Sequence, residues 1–123
     1  NIRVSELQAL YMFSVLKEWK TIINDKIQIA EQYIDLCKQK SIDYIDQREN
    51  EQNGNYYKFV IFNKEQPILK LYPTLKTLTS PVYDYSIGAH NEVAGYHQCL
   101  PIWYGQEPEL TDKVLIELNS ILI

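Results

Sequence analysis

The segment Tyr56-Tyr-Lys-Phe-Val-Ile-Phe62 is aromatic or β-branched at nearly every position. Such a run is typical of a β-strand. Because apolar residues occupy both of its alternating faces, we expect it to lie inside a sheet rather than at an edge. Phe59 and Ile61 would then be buried on one face of the sheet, and Val60 and Phe62 on the other. This strand is the predicted centre of the fold.

Two shorter strands are predicted to flank it in the chain. Ser41-Ile-Asp-Tyr-Ile-Asp46 comes before it, and His97-Gln-Cys-Leu-Pro-Ile-Trp103 follows later, with Pro101 near its end. A polar loop with an Asn53-Gly54 turn signal covers residues 47–55.

Three further segments are predicted between the last two strands. Residues 65–76 are predicted to form a short helix interrupted by Pro73. Residues 78–85 read as extended chain around Ser80-Pro81. Residues 91–96 read as one or two helical turns.

A long helix is predicted to precede the strands. Ser5-Glu-Leu-Gln8 is a capping box, and helical periodicity continues to about Lys38 without Gly or Pro. About 34 helical residues span about 51 Å, whereas a compact domain of this size is roughly 35 Å across. The helix therefore bends or breaks, with Asn24-Asp25 as the favoured place, or it projects beyond its domain. Residues 7–16 are apolar nearly all round, which is typical of a helix covered on all sides.

The end of the chain is a second amphipathic helix, from Glu109 to Leu122. Its apolar side is formed by Leu110, Val114, Leu118, Ile121 and Leu122. The order of elements predicts an α+β fold, a small sheet with helices on one face. We expect a long linking helix over residues 1–40 and a small α+β domain over residues 41–123.

Composition favours a folded, non-basic domain. The chain has 123 residues, of which 46% are hydrophobic and 23% charged, and its formal net charge is −4. This is one domain's worth of chain or a piece of a larger protein, and it is too apolar to be disordered. The acidic balance argues against nucleic acid and anionic membrane as partners. No apolar run approaches the ~18 residues of a membrane span. The start lacks an initiator Met and a signal-like segment, so we interpret the chain as a soluble piece whose start is cut rather than natural.

The cysteines and histidines lack the spacing of a zinc site. These residues are Cys37, Cys99, His90 and His97. We expect buried thiols rather than a disulfide between the two cysteines, although the sequence leaves that pairing open. His97 and Cys99 would share one strand face, but nothing near them indicates an oxyanion site.

Two pairs of carboxylates could be imagined as acid–base partners. They are Asp43 with Asp46 and Glu107 with Glu109, and each pair lies in a hydrophilic stretch typical of solvated surface. The sequence also lacks a Gly-rich phosphate loop and a metalloprotease motif. From the residues alone we predict an α+β domain without a self-contained active site and without a metal.

A resemblance to a known family adds to this interpretation. Asn1-Ile-Arg-Val-Ser-Glu-Leu-Gln-Ala9 resembles the Asn-Tyr-Arg-Met-Ser-Glu-Leu-Gln-Ala signature of the DegT/StrS family of pyridoxal-phosphate sugar aminotransferases. Later segments resemble that family in the same order: Ala30-Glu-Gln-Tyr33, Tyr56-Tyr-Lys-Phe-Val-Ile61, Ser80-Pro-Val-Tyr-Asp84 and Cys99-Leu-Pro-Ile102. The chain departs from the family at Ile2, where Tyr is usual, and in a shorter segment from Asn63 to Lys76.

The resemblance implies the C-terminal small domain of a fold-type I aminotransferase. The parent enzyme would use pyridoxal 5′-phosphate (PLP) to move an amino group, with glutamate as donor, onto a keto-sugar nucleotide for surface glycan synthesis. The family's Schiff-base lysine lies upstream of the first motif. We therefore expect the PLP-binding large domain to be absent from this chain, and the chain alone to be inactive and to hold no cofactor.

Two residues are implied as site residues by the resemblance. Asn1 would reach the PLP phosphate of the partner subunit, the alternative being an ordinary terminal polar residue. Tyr83 would approach the sugar substrate, the alternative being a packed tyrosine.

The apolar start of the long helix predicts association. If Leu7, Leu10, Met12, Phe13 and Leu16 are exposed, their burial favours a homodimer or higher oligomer through this helix. The alternative function is therefore a non-catalytic α+β interaction or oligomerisation domain whose long helix binds a partner helix.

Overall fold

A computed structural model of the chain describes residues 5–48, 54–62 and 97–121. The elements in these ranges are α1 (Glu6–Lys17), α2 (Trp19–Lys40), β1 (Asp43–Tyr44), β2 (Phe59–Phe62), β3 (His97–Leu100) and α3 (Pro108–Ile121). The strands form one antiparallel sheet in the order β1-β2-β3. The predicted α+β fold is confirmed, and so is the inner position of the strand at Phe59–Phe62. The predictions for residues 65–76, 78–85 and 91–96 lie outside the described residues.

The register of the sheet places the buried residues Phe59, Ile61 and Leu100 on one face. Ile61 lies opposite Gln98, and Phe59 lies opposite Leu100. Phe59 and Ile61 are fully buried, as predicted. Val60 is only half-buried, and so is Phe62, so the other face is less covered than the sequence indicates.

Two helices cover the buried face. The Tyr33 ring of α2 meets the Phe59 ring edge-on, with centroids 5.3 Å apart. Val114 and Leu118 of α3 are fully buried in the same cluster. The buried residues of α2 are Ile29, Ala30, Tyr33, Ile34, Leu36 and Cys37. The second half of α2 is therefore part of the core of the small sheet.

The long helix is interrupted once, at Glu18. The capping box predicted at Ser5 is present, with the Ser5 hydroxyl accepting from the Gln8 N–H over 3.2 Å. At Glu18 the backbone N–H donates to the Val15 carbonyl over 3.0 Å, which is a tighter turn than an α-helix makes. The predicted break at Asn24-Asp25 is wrong, because α2 runs through it.

A tertiary contact explains why α2 continues there. Asn and Asp have weak helix propensity. The Asp25 carboxylate, however, accepts the Gly105 N–H over 2.7 Å. This bond ties the loop after β3 to the first half of α2 and stabilises the helix at that point.

Candidate functional site

The two residues implied as site residues by the family resemblance, Asn1 and Tyr83, lie outside the described residues. The same holds for His90. The other chemically interesting residues fall in the described ranges, and their surroundings show what each can do.

The two thiols are buried, and burial disfavours their ionisation to thiolate. Cys37 and Cys99 are both free. Burial raises the pKa of the Cys37 thiol to about 12. Burial also raises the pKa of Cys99, and the nearby Lys58 charge offsets only part of that effect. Since the thiolate is the nucleophile, the raised pKa of each thiol disfavours its reactive form.

The predicted carboxylate pair Asp43 and Asp46 is split between two environments. Asp43 is exposed on β1, whereas Asp46 is half-buried in the turn after it. The Asp46 carboxylate accepts the Tyr56 hydroxyl over 2.8 Å and the Arg48 N–H over 3.0 Å. Burial alone raises the pKa of Asp46, but these bonds and the Arg48 charge outweigh it and lower that pKa. A carboxylate with a lowered pKa is ionised near neutral pH and is therefore poorly suited to act as a general acid there.

The same turn belongs to a polar cluster that joins it to α2. The Arg48 guanidinium donates to the Tyr56 hydroxyl and to the Glu31 carboxylate, each over 3.0 Å. Tyr56 has a positive φ of 46°, a strained conformation for a tyrosine. Gln47 holds it there, because its Oε1 accepts the Tyr56 N–H over 2.9 Å. The cluster fixes the conformation of the chain before β2.

An open depression of about 450 Å³ lies beside this cluster. It is lined by Lys38, Ile42, Asp43, Tyr44 and Asp46. The other predicted pair, Glu107 and Glu109, is exposed where α3 begins. Neither place encloses a volume from which water could be excluded.

The described lysines lie at or near the surface. Burial lowers the pKa of Lys26, and its Nζ lies 5.9 Å from the centre of the Tyr57 ring. The other lysines of these ranges are exposed or half-buried surface residues. No metal-binding group of three or more His, Cys, Asp or Glu occurs in residues 5–48, 54–62 and 97–121. Within the same ranges, no helix combines the length and apolarity that a membrane crossing needs.

The exposed apolar surface of α1 is the most unusual feature of the described structure. Every residue of α1 is exposed. The large apolar side chains exposed along it, with their exposed fractions, are Leu7 77%, Leu10 67%, Tyr11 72%, Met12 55%, Phe13 61%, Val15 39% and Leu16 61%. Monomeric proteins rarely present so large a continuous apolar surface, so α1 is the candidate interaction site.

The sequence did not indicate a second exposed apolar group, Trp103 and Tyr104. They are 43% and 52% exposed in the loop after β3. The pattern His97–Trp103 predicts Trp103 as the last residue of a strand, whereas β3 ends at Leu100. The sequence signals for this earlier end, three residues before the predicted one, are Pro101, directly after Leu100, and Gly105, which has a φ of 72°.

Comparison with known proteins gives no match, whether with protein-family models, with curated proteins or with solved structures. The resemblance to the DegT/StrS family therefore rests on the five quoted sequence motifs and their order alone.

Proposed function

We propose that this chain is the C-terminal part of a PLP-dependent aminotransferase that moves an amino group from glutamate onto a keto-sugar nucleotide. The product would feed surface glycan synthesis in the cytoplasm. The observation that carries the proposal is the order of the family-like motifs along the chain, beginning with Asn1-Ile-Arg-Val-Ser-Glu-Leu-Gln-Ala9.

The packing of the described residues supports this proposal. Three of the segments that resemble the family meet in one core. Tyr33 ends the segment Ala30–Tyr33, and its ring contacts Phe59 of the segment Tyr56–Ile61. Its hydroxyl donates over 2.8 Å to the carbonyl of Pro101, in the segment Cys99–Ile102. The end of the linking helix is thus in contact with the small domain, and the proposal is consistent with this packing.

The cofactor is assigned to a preceding part of the parent protein. When bound, PLP supplies the electron sink for amino transfer. We assign the lysine that holds PLP to that preceding part, so this chain would contribute the implied contacts of Asn1 and Tyr83. An uncharged amide such as that of Asn1 can donate to a phosphate without adding charge.

The experiment uses the natural protein that contains this chain. We expect 2-oxoglutarate to form when it is given glutamate and a nucleotide-linked keto-sugar. Tyr83→Phe should raise the KM for the sugar nucleotide, whereas Tyr57→Phe, an exposed tyrosine, should not. A natural protein without a PLP-binding lysine and without amino transfer would contradict the proposal.

The second candidate function is a non-catalytic α+β interaction or oligomerisation domain. The exposure of α1 favours it, since a helix with apolar side chains all round needs partner surfaces. This function requires association of the chain but no amino transfer, so the two candidates are separated by different measurements.

A further inference from the structure

We infer that the ring of Tyr57 and the ammonium groups of Lys26 and Lys58 form a binding site for the phosphoryl group of a small ligand. The site lies where α2 meets the chain just before β2. The inference rests on neither candidate function, because it uses contacts within the described structure and neither the family resemblance nor the apolar surface of α1.

Two lysines that are far apart in the chain meet at one aromatic ring. Lys26 Nζ, from α2, lies 5.9 Å from the centre of the Tyr57 ring, and Lys58 Nζ lies 6.0 Å from it. Both distances are within the range of a cation–π interaction. The contact between α2 and the start of β2 therefore brings a second positive charge to a ring that already has one from its neighbour in sequence.

Two other lysine–aromatic pairs are local and provide a comparison. Lys17 lies over the Phe13 ring of the same helix, and Lys20 lies over the ring of its neighbour Trp19, with Nζ 5.0 and 5.6 Å from the ring centres. Each of these pairs joins residues that are close in sequence and needs no tertiary contact. The Tyr57 ring differs from them because the fold adds Lys26 to it.

Neither ammonium group at Tyr57 is paired with a carboxylate of the described residues. Lys26 and Lys58 form no ion pair there. The carboxylate of the adjacent Asp25 instead accepts the Gly105 N–H over 2.7 Å. The chain has 16 acidic side chains against 12 basic ones, so the lack of a counter-charge at this ring is not due to a shortage of acidic residues. The positive charge is therefore available to an anion.

The two positive charges act beyond their own side chains. The Lys58 charge opposes the rise in the pKa of Cys99 that burial causes. The two ammonium groups are at most twice their distance to the ring centre apart. This separation is comparable with the Debye length of ~10 Å at 0.1 M ionic strength, so salt screens their mutual repulsion only in part. A bound anion would offset the remaining repulsion.

The backbone at Tyr57 and Lys58 is held in place by two side chains. The Tyr57 N–H donates to the Asn55 side-chain oxygen over 3.0 Å, and the Lys58 carbonyl accepts from Gln47 Nε2. The third member, Lys26, is half-buried on α2. A ligand therefore meets a ring and two lysine stems that are already positioned, and rotation at the ends of the lysines brings both ammonium groups onto it.

A phosphoryl group suits two ammonium groups better than a carboxylate does. It carries about −1.5 to −2 charges at pH 7 and has three strong acceptor oxygens, so it can accept from both lysines at once. Lysine binds phosphate in many proteins as a point charge. The side chain of Tyr57 is 73% exposed, and its ring can pack against an aromatic part of the same ligand. The expected ligand class is therefore a small aromatic phosphate.

An NMR titration of the ¹⁵N-labelled chain tests the inference. The probes are inorganic phosphate and phenyl phosphate, each added at constant ionic strength. We expect the amide signals of residues 26, 57 and 58 to shift and to saturate, with a Kd of about 1 mM for inorganic phosphate. The Kd for phenyl phosphate should be about 5-fold lower, because its ring adds a contact with Tyr57.

Charge-removing variants locate the site. Lys26→Gln and, separately, Lys58→Gln should each raise the Kd for phosphate about 5-fold or more, because each removes one charge-assisted hydrogen bond. Lys20→Gln is the matched control, since it removes the same charge beside the ring of Trp19. Tyr57→Ser should abolish the advantage of phenyl phosphate, whereas Tyr57→Phe keeps the ring and should retain it. Unchanged signals elsewhere in the spectrum would show that the variants fold.

Three results would overturn the inference. The first is the absence of saturable shifts up to about 50 mM of either probe, well above the millimolar range. The second is an equal loss of affinity in Lys20→Gln, which would show that binding follows net charge. The third is equal affinity for the two probes, which would show that the Tyr57 ring is not part of the site. Amino transfer by the natural protein and association of the chain are separate measurements.

The inferred site does not hold the cofactor of the aminotransferase proposal. A ligand bound with a millimolar Kd is lost on desalting. Phosphate binding at Tyr57 is therefore compatible with the assignment of PLP to a preceding part of the protein.

Discussion

The hydroxyl group of Tyr33 donates a hydrogen bond to the carbonyl oxygen of Pro101 over 2.8 Å. These residues are 68 positions apart in the chain and join α2 to the end of β3. Gln106 Nε2 donates to the same hydroxyl over 3.2 Å and to the Thr111 hydroxyl over 2.9 Å. One buried polar network therefore holds α2, the loop after β3 and α3 together.

Removing this hydroxyl should destabilise the domain. We expect Tyr33→Phe to lower the free energy of unfolding by about 1–3 kcal/mol, because the buried Pro101 carbonyl loses its donor. The ring stays in contact with Phe59, so packing is preserved. Urea denaturation measures the change. Tyr104→Phe, which alters an exposed tyrosine, is the control, and equal losses in the two variants would contradict the role of the network.

The same residue should make stability depend on alkaline pH. Burial raises the pKa of Tyr33 to about 12, opposed in part by the hydrogen bond from Gln106. An unfolded tyrosine ionises near pH 10. The stabilisation is therefore complete below about pH 10 and is lost as the pH rises towards 12. Tyr33→Phe should lose less stability over this range than the wild-type chain.

Gln98 should be replaceable with a gain in stability. It is buried on the core face of β3, opposite Ile61, and its Oε1 lacks a hydrogen-bond partner. Replacing an unsatisfied polar group by an apolar one of similar shape removes a desolvation penalty. Gln98→Met should raise the free energy of unfolding by about 1 kcal/mol. Gln32→Met on the exposed side of α2 is the control, and a loss of stability in Gln98→Met would show that this oxygen is satisfied in solution.

Asp46 should contribute to stability only above acidic pH. Its folded pKa is lowered, so its contribution is present above the unfolded pKa of about 3.9 and is lost as the pH falls through the folded pKa. At pH 7 we expect Asp46→Ala to lose about 1–2 kcal/mol, because the Tyr56 hydroxyl and the Arg48 N–H lose their acceptor. The difference from wild type should disappear in strong acid. Asp43→Ala, at an exposed position nearby, should change little at any pH.

The central strand should be protected in solution. Ile61 is fully buried between β1 and β3. Ile61→Asp should cost several kcal/mol, about 3–5 for an unpaired charge in an apolar core. Amide hydrogen exchange on the wild-type chain provides the independent check. Rapid exchange throughout residues 59–62 would show that the strand is not held inside a sheet.

Local pattern predicted the elements of this fold, but not the contacts between distant residues. The capping box at Ser5 and the alternation around Ile61 act over a few residues, so both could be read directly. The place where the long helix is interrupted could not be predicted in this way. The sequence favours a break at Asn24-Asp25, but the bond from Gly105 to Asp25 stabilises α2 there, and the interruption lies at Glu18 instead. The burial of Gln98 also depends on a distant contact. The register of β3 against β2 decides which face of the sheet Gln98 lies on, and the local sequence does not show that register. Of the candidate site, the apolar start of α1 was predicted, whereas the fixed loop at Trp103 was not.

The isolated chain should not retain PLP. Among the described residues, Lys26 is a lysine that could react, because burial lowers its pKa and the Tyr57 ring lies beside it. A reactive amine alone does not hold the cofactor, since micromolar binding needs about −8 kcal/mol and a single hydrogen bond contributes about 1 kcal/mol. After incubation with PLP and desalting, we expect no stoichiometric absorbance band from bound cofactor. The same treatment of Lys26→Arg shows how much of any residual signal is adventitious reaction at this lysine. A retained band at one equivalent that disappears in Lys26→Arg would show that the chain binds PLP itself, and it would contradict the assignment of the cofactor to a preceding part of the protein.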